Sequence, residues 1–150
     1  MTLGSIGRRP RGETTMSFLR TVGAILIIAF GALSTRVAQA APHAIVTRLM
    51  RKDIAEIPGK DMVMITVKYP PGSVDPVHRH NAYAFVYVLK GSIVMKVRGG
   101  KQVTLGPGQT FYEGPNDVHT VGRNASKTRP AEFLAVLLKN QGAPLLVPAR

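Results

Sequence analysis

The chain has 150 residues, 20 Lys and Arg against eight Asp and Glu, a formal charge of +12 and no cysteine. That length holds one domain with a workable core, and the missing thiols exclude disulfides and cysteine metal sites. The basic residues are scattered and the aromatics few, so nucleic acid is not an expected partner; the charge reads as a solvated basic surface, or as attraction for anionic substrates or an anionic envelope.

Residues 1–40 read as an export signal. Arg20 precedes a twelve-residue apolar run, Val22 to Leu33, and Ser34 to Ala40 ends in Ala38-Gln39-Ala40, an A-x-A cleavage pattern. Met16 is a second candidate start, because a complete signal follows it. The apolar run falls short of the roughly 20 residues a membrane span needs, so no stable span is expected once the signal is removed, and the location is periplasmic or secreted. These residues carry five of the basic and one of the acidic groups, which leaves residues 41–150 at +8.

From residue 41 onward the pattern is one of short strands. Ala44–Met50 and Met62–Tyr69 are β-prone, the second alternating at Val63, Ile65 and Val67 until Pro70-Pro71-Gly72 stops it. Tyr83–Leu89, Ile93–Arg98, Val103–Leu105, Thr110–Glu113, Val118–Gly122 and Glu132–Leu138 follow, separated by Gly- and Pro-containing turns. No helical period appears. About eight short strands argue for an all-β barrel or sandwich. Tyr83, Phe85, Tyr87, Phe111 and Phe133 are expected in its core, with Met62, Met64 and Met95. The segment from Asn140 is expected to pack loosely outside, or across a partner.

Three histidines carry the chemistry. His78 and His80 form an H-x-H pair, and residues two apart on a strand share a face; His119 follows about forty residues later. Neutral imidazoles are common ligands for transition metals, so His78, His80 and His119 are the expected metal ligands. Glu113 ends a run of apolar and aromatic residues just before the loop to His119. It is a metal ligand, a contact to a bound histidine or substrate, or an exposed residue. His43, near the start of the domain, reads as incidental, or as a weak chelator with a free Ala41 amine. Asn124-Ala125-Ser126 fits a glycosylation sequon.

Together these residues resemble the cupin family. Gly72, His78, His80 and Gly91 fall at the spacing of that family's first motif, G-x5-H-x-H-x3–4-E-x6-G, but Ala84 stands where its glutamate belongs. Gly108 through Asn124 is similar to the second motif, with His119 as the matching ligand and Asn124 one place late. The resemblance implies a double-stranded β-helix, or jelly-roll barrel, over a single domain at 41–150. It also implies a divalent transition metal (Fe, Mn, Zn, Ni or Cu) inside the barrel, a small-molecule ligand or substrate, and a homodimer. Two functions compete, beside a third reading as a degenerate, purely structural cupin. One is a metal-dependent enzyme, a dioxygenase or isomerase, with an oxygenase acting on a small organic substrate as the leading form; the other is a non-catalytic periplasmic binder of a small ligand or metal.

Overall fold

The computed structural model describes residues 41–150. The export signal expected over residues 1–40 lies outside the described residues. Ten strands are formed: β1 (Ile45–Asp53), β2 (Lys60–Tyr69), β3 (His78–Arg79), β4 (Ala82–Lys90), β5 (Ile93–Val97), β6 (Val103–Leu105), β7 (Thr110–Glu113), β8 (His119–Asn124), β9 (Ala131–Asn140) and β10 (Val147–Pro148). They build two five-stranded sheets, ordered β1-β2-β9-β4-β7 and β10-β3-β8-β5-β6, and every pairing is antiparallel. This is the all-β double-sheet architecture expected from the strand pattern, in the jelly-roll form that the resemblance implies. Among the described residues no helix is long and apolar enough to cross a membrane.

The interior follows from the two-residue period of the strands. β2 buries Val63, Ile65, Val67 and Tyr69, β9 buries Phe133, Ala135 and Leu137, and β5 adds Ile93 and Met95. Turns between strands use glycine where the backbone demands it. Gly91, between β4 and β5, has φ +70, and a Cβ there would lie 2.5 Å from the Pro130 carbonyl oxygen. At one end of β2, Asp61 is fully buried, with Lys139 Nζ at 3.0 Å and Arg51 Nε at 2.7 Å. Burial opposes its ionisation, but those two cations hold its carboxyl below the usual range.

Several expectations are corrected. Tyr83, Phe85 and Tyr87 are not core; they stand exposed on the outer face of β4 while Ala82, Ala84, Val86 and Val88 point inward. The run is apolar on both faces, so composition could not say which set faced in. The small residues take the narrow interior. Phe133 and Met95 are core and Phe111 packs against it, whereas Met62 and Met64 lie half-buried on the outer face of β2. The segment after Asn140 does not lie loose: β10 pairs with β3, placing Pro148 opposite His78 and Val147 opposite Arg79. Asn124 is buried, and its Nδ2 lies within 3.1 Å of the Tyr69, Pro70 and Arg129 carbonyls. An amide so engaged pins the strand end and offers no accessible glycosylation site.

Candidate metal centre

His78 and His119 are cross-strand partners on β3 and β8, and His80 follows two residues after His78. Their available nitrogens all lie within 4.8 Å of one another. Hydrogen bonds fix the ring orientations of His78 and His80. His78 Nδ1 faces the Pro76 carbonyl oxygen at 2.8 Å, and His80 Nδ1 faces that of Leu145 at 2.5 Å. A carbonyl oxygen only accepts, so each Nδ1 carries the hydrogen and each Nε2 presents a lone pair. Those two Nε2 atoms are 3.2 Å apart.

Glu113 completes the group. It is buried on β7, with Oε1 3.6 Å from His119 Nδ1 and Oε2 3.9 Å from His80 Nε2. Its cross-strand partner on β4 is Ala84. Directly opposed residues on antiparallel strands project from the same face with Cβ atoms about 5 Å apart. A carboxylate thus stands one strand over from Ala84, on the same face of the sheet. Of the three readings of Glu113, the exposed one is excluded.

Electrostatics follow from burial. Burial, with His78 adding, lowers the His119 imidazole to about 4, and burial also lowers His80. Both are therefore neutral near pH 7, as ligation requires. Glu113 is pushed up to about 7 by burial, with Asp117 and Asp75 adding. Both ring nitrogens of His119 and Oε2 of Glu113 are buried without a hydrogen-bond partner, and unpaired buried polar atoms are costly. Two imidazole nitrogens bound to one ion at about 2.1 Å sit about 3 Å apart, which matches the facing Nε2 pair. Three imidazoles and one carboxylate converging here fit a divalent transition metal.

Sequence reasoning missed the floor and the mouth of the site. These residues border a cavity of about 330 Å³. Tyr69 donates its hydroxyl hydrogen to Asp75 Oδ2 at the cavity wall. A Cβ on Gly122 would lie 2.9 Å from His119 Cε1, 3.0 Å from Asp75 Oδ2 and 3.1 Å from the Tyr69 hydroxyl. Gly122 is therefore the bare spot on which these groups converge. Asp75 sits within the Gly72-to-His78 stretch, a signal that was available; Tyr69 reads as an ordinary strand end. His43, Leu145 and Leu146 border the same cavity, so His43 belongs to the site's surroundings rather than to an unrelated terminus.

The description "Cupin domain" fits residues 65–137, the stretch holding both histidine motifs. The chain belongs to the cupin family. Similar solved structures include a conserved protein with a double-stranded β-helix domain from Klebsiella pneumoniae, at 19% identity over 72% of this chain and 85% of that one, TM-score 0.57. The DMSP lyase DddQ from Ruegeria pomeroyi is 23% identical over 59% of this cupin and 43% of that chain, TM-score 0.52. An oxalate oxidase in complex with the substrate analogue glycolate is 26% identical over 69% and 54%, TM-score 0.52. This cupin thus spans less than half the length of that lyase. Among functionally curated proteins none matches the sequence.

Proposed function

We propose that this cupin is a metal-dependent enzyme, an exported oxygenase, in which His78, His80, His119 and Glu113 hold one divalent transition metal against a small organic substrate. The observation that carries the metal reading is the convergence of unpaired donors: two Nε2 lone pairs 3.2 Å apart beside a buried His119 and a partnerless Glu113 oxygen. Four protein donors leave a six-coordinate ion open to substrate and to O2. When bound, the ion supplies a Lewis acid and, if iron, manganese or copper, a redox centre. The chain's own residues do the rest. Carbonyl contacts from Pro76 and Leu145 orient His78 and His80, apolar walls exclude water, and the Tyr69–Asp75 pair offers proton-accepting oxygens beside the histidines. The likeness to an oxalate oxidase and a lyase supports turnover of a small molecule. The export reading is supported by the leader pattern of residues 1–40, which favours a periplasmic or secreted protein.

We infer a homodimer from the outer face of the first sheet. Met50, Met64, Val136, Phe85 and Tyr112 form one uncharged row across all five strands through paired registers.

The deciding experiment is metal analysis of the full chain purified without chelators, beside His78→Ala and His119→Ala, followed by oxygen-consumption assays on small organic acids and phenols. Near-stoichiometric metal lost in both variants is expected. Wild-type protein that folds without metal and binds none when offered it would sink the reading. Metal with tight ligand binding but no product would favour the non-catalytic binder.

A further inference from the structure

The cavity wall is chemically lopsided. Thirteen of its twenty lining residues are apolar, Ile65, Val67, Val86, Phe133 and Leu137 among them, and none is Lys or Arg. Among the described residues the Lys and Arg side chains therefore lie outside the cavity lining. The charged groups that do line it, Glu113 and Asp75, are carboxylates. With one divalent ion their formal charges sum to zero, so a second negative charge on a ligand would be buried with no cation to meet it. Asp75 is held in place by the Tyr69 hydroxyl and by its own amide, which donates to the Gly122 carbonyl at 2.8 Å. The amide bond fixes its backbone, and the carboxylate cannot swing away to relieve the repulsion without giving up the Tyr69 hydroxyl. The size is also bounded: about 330 Å³ is the room of about ten waters, enough for a ligand of about ten to fifteen non-hydrogen atoms.

We propose that the cavity selects a small, mostly apolar molecule carrying a single oxygen head group of at most one negative charge, with Asp75 as the residue that turns dianions away. The proposal rests on the metal reading above for the head group, but the apolar body is set by the wall alone. Leu145 and Leu146 border the cavity from the C-terminal segment, and they are placed to cover an alkyl substituent.

The test uses the full chain in two forms. Metal-loaded protein is titrated calorimetrically with benzoate, 4-ethylbenzoate and oxalate, and metal-free protein with phenol and 4-ethylphenol; metal content is measured on each sample. Two buried carbons are expected to tighten binding about tenfold in both pairs, and oxalate is expected to bind at least tenfold more weakly than 4-ethylbenzoate. Asp75→Asn should narrow that gap about tenfold, because one repelling charge is removed while the acceptor for Tyr69 is kept. Leu146→Ala, at a position already 40% exposed, should cut the ethyl gain to about threefold with metal content unchanged. Oxalate binding as tightly as 4-ethylbenzoate, or an ethyl group adding nothing, would overturn the proposal. Protein that holds no metal would overturn the metal reading instead, and the phenol pair would still decide the apolar wall.

Discussion

Glu113 and Ala84 occupy one cross-strand pair, which sets a buried carboxylate beside the histidines one strand over from the alanine. Moving the carboxylate across the pair tests its role directly. Glu113→Ala should weaken metal binding about 10- to 100-fold, and adding Ala84→Glu should recover most of it, read by metal titration of the purified variants. The same residue sets a pH dependence. Burial raises Glu113 from 4.5 to about 7, so the metal-free folded protein binds more protons than the unfolded chain in that window and loses stability as pH rises through it. His119, lowered from 6.5 to about 4, acts oppositely. The unfolded chain takes up its proton first, and stability is lost as pH falls below 6.5. The two slopes overlap between about 4.5 and 6.5 and largely cancel there, so the metal-free protein has a stability plateau across that range and loses stability as pH rises through about 7 or falls toward about 4. Glu113→Gln should stabilise it above pH 7 by about 3 kcal/mol, seen in denaturant melts, while reducing metal affinity. In the wild type, metal binding below pH 7 should release about one proton, measurable by calorimetry in buffers of different ionisation enthalpy.

At the scale of elements, the C-terminal segment is part of the site. β10 pairs with β3, the Ala149 amide donates to Val77, Arg98 holds the Arg150 carbonyl, and the Leu145 carbonyl accepts from His80. Such outer contacts typically contribute 10- to 100-fold in metal affinity. A chain ending at Gln141 should keep both sheets, because β2, β9 and β4 pair without the tail in one and β5, β6 and β8 in the other. It should nonetheless bind metal at least tenfold more weakly. Circular dichroism beside metal titration separates the two effects, and unchanged affinity would leave the tail as mere packing.

For the molecule as a whole, the first sheet is apolar on both faces. Antiparallel sheets ordinarily solvate one face, yet Tyr83, Phe85, Tyr87 and Tyr112 stand 43–54% exposed on this one. Four such rings leave roughly 100 Å² each open. With Met50, Met64, Leu134 and Val136 beside them, the face approaches the about 800 Å² per partner of a stable interface. Charged side chains fall toward its ends, at Lys52 and at Lys68 beside Glu132, as a polar rim would. Phe85→Asp should yield monomers by light scattering with metal content unchanged, since its side chain points away from the cavity.

The sequence by itself determined a great deal here. Alternation and glycine turns determined eight of the ten strands, because strand period and turn chemistry are local. The spacing of His78, His80 and His119 determined which histidines meet, because an H-x-H pair must share a face. What only the tertiary structure decided depends on which strands become neighbours. It set Glu113 beside Ala84, brought Tyr69 and Asp75 to the bare Gly122, and turned the aromatic residues of β4 outward. It also brought a two-residue strand from the tail back onto β3. None of these leaves a local signature, since cross-strand pairing joins residues up to eighty positions apart, and a run apolar on both faces does not say which face is inside until the sheet closes.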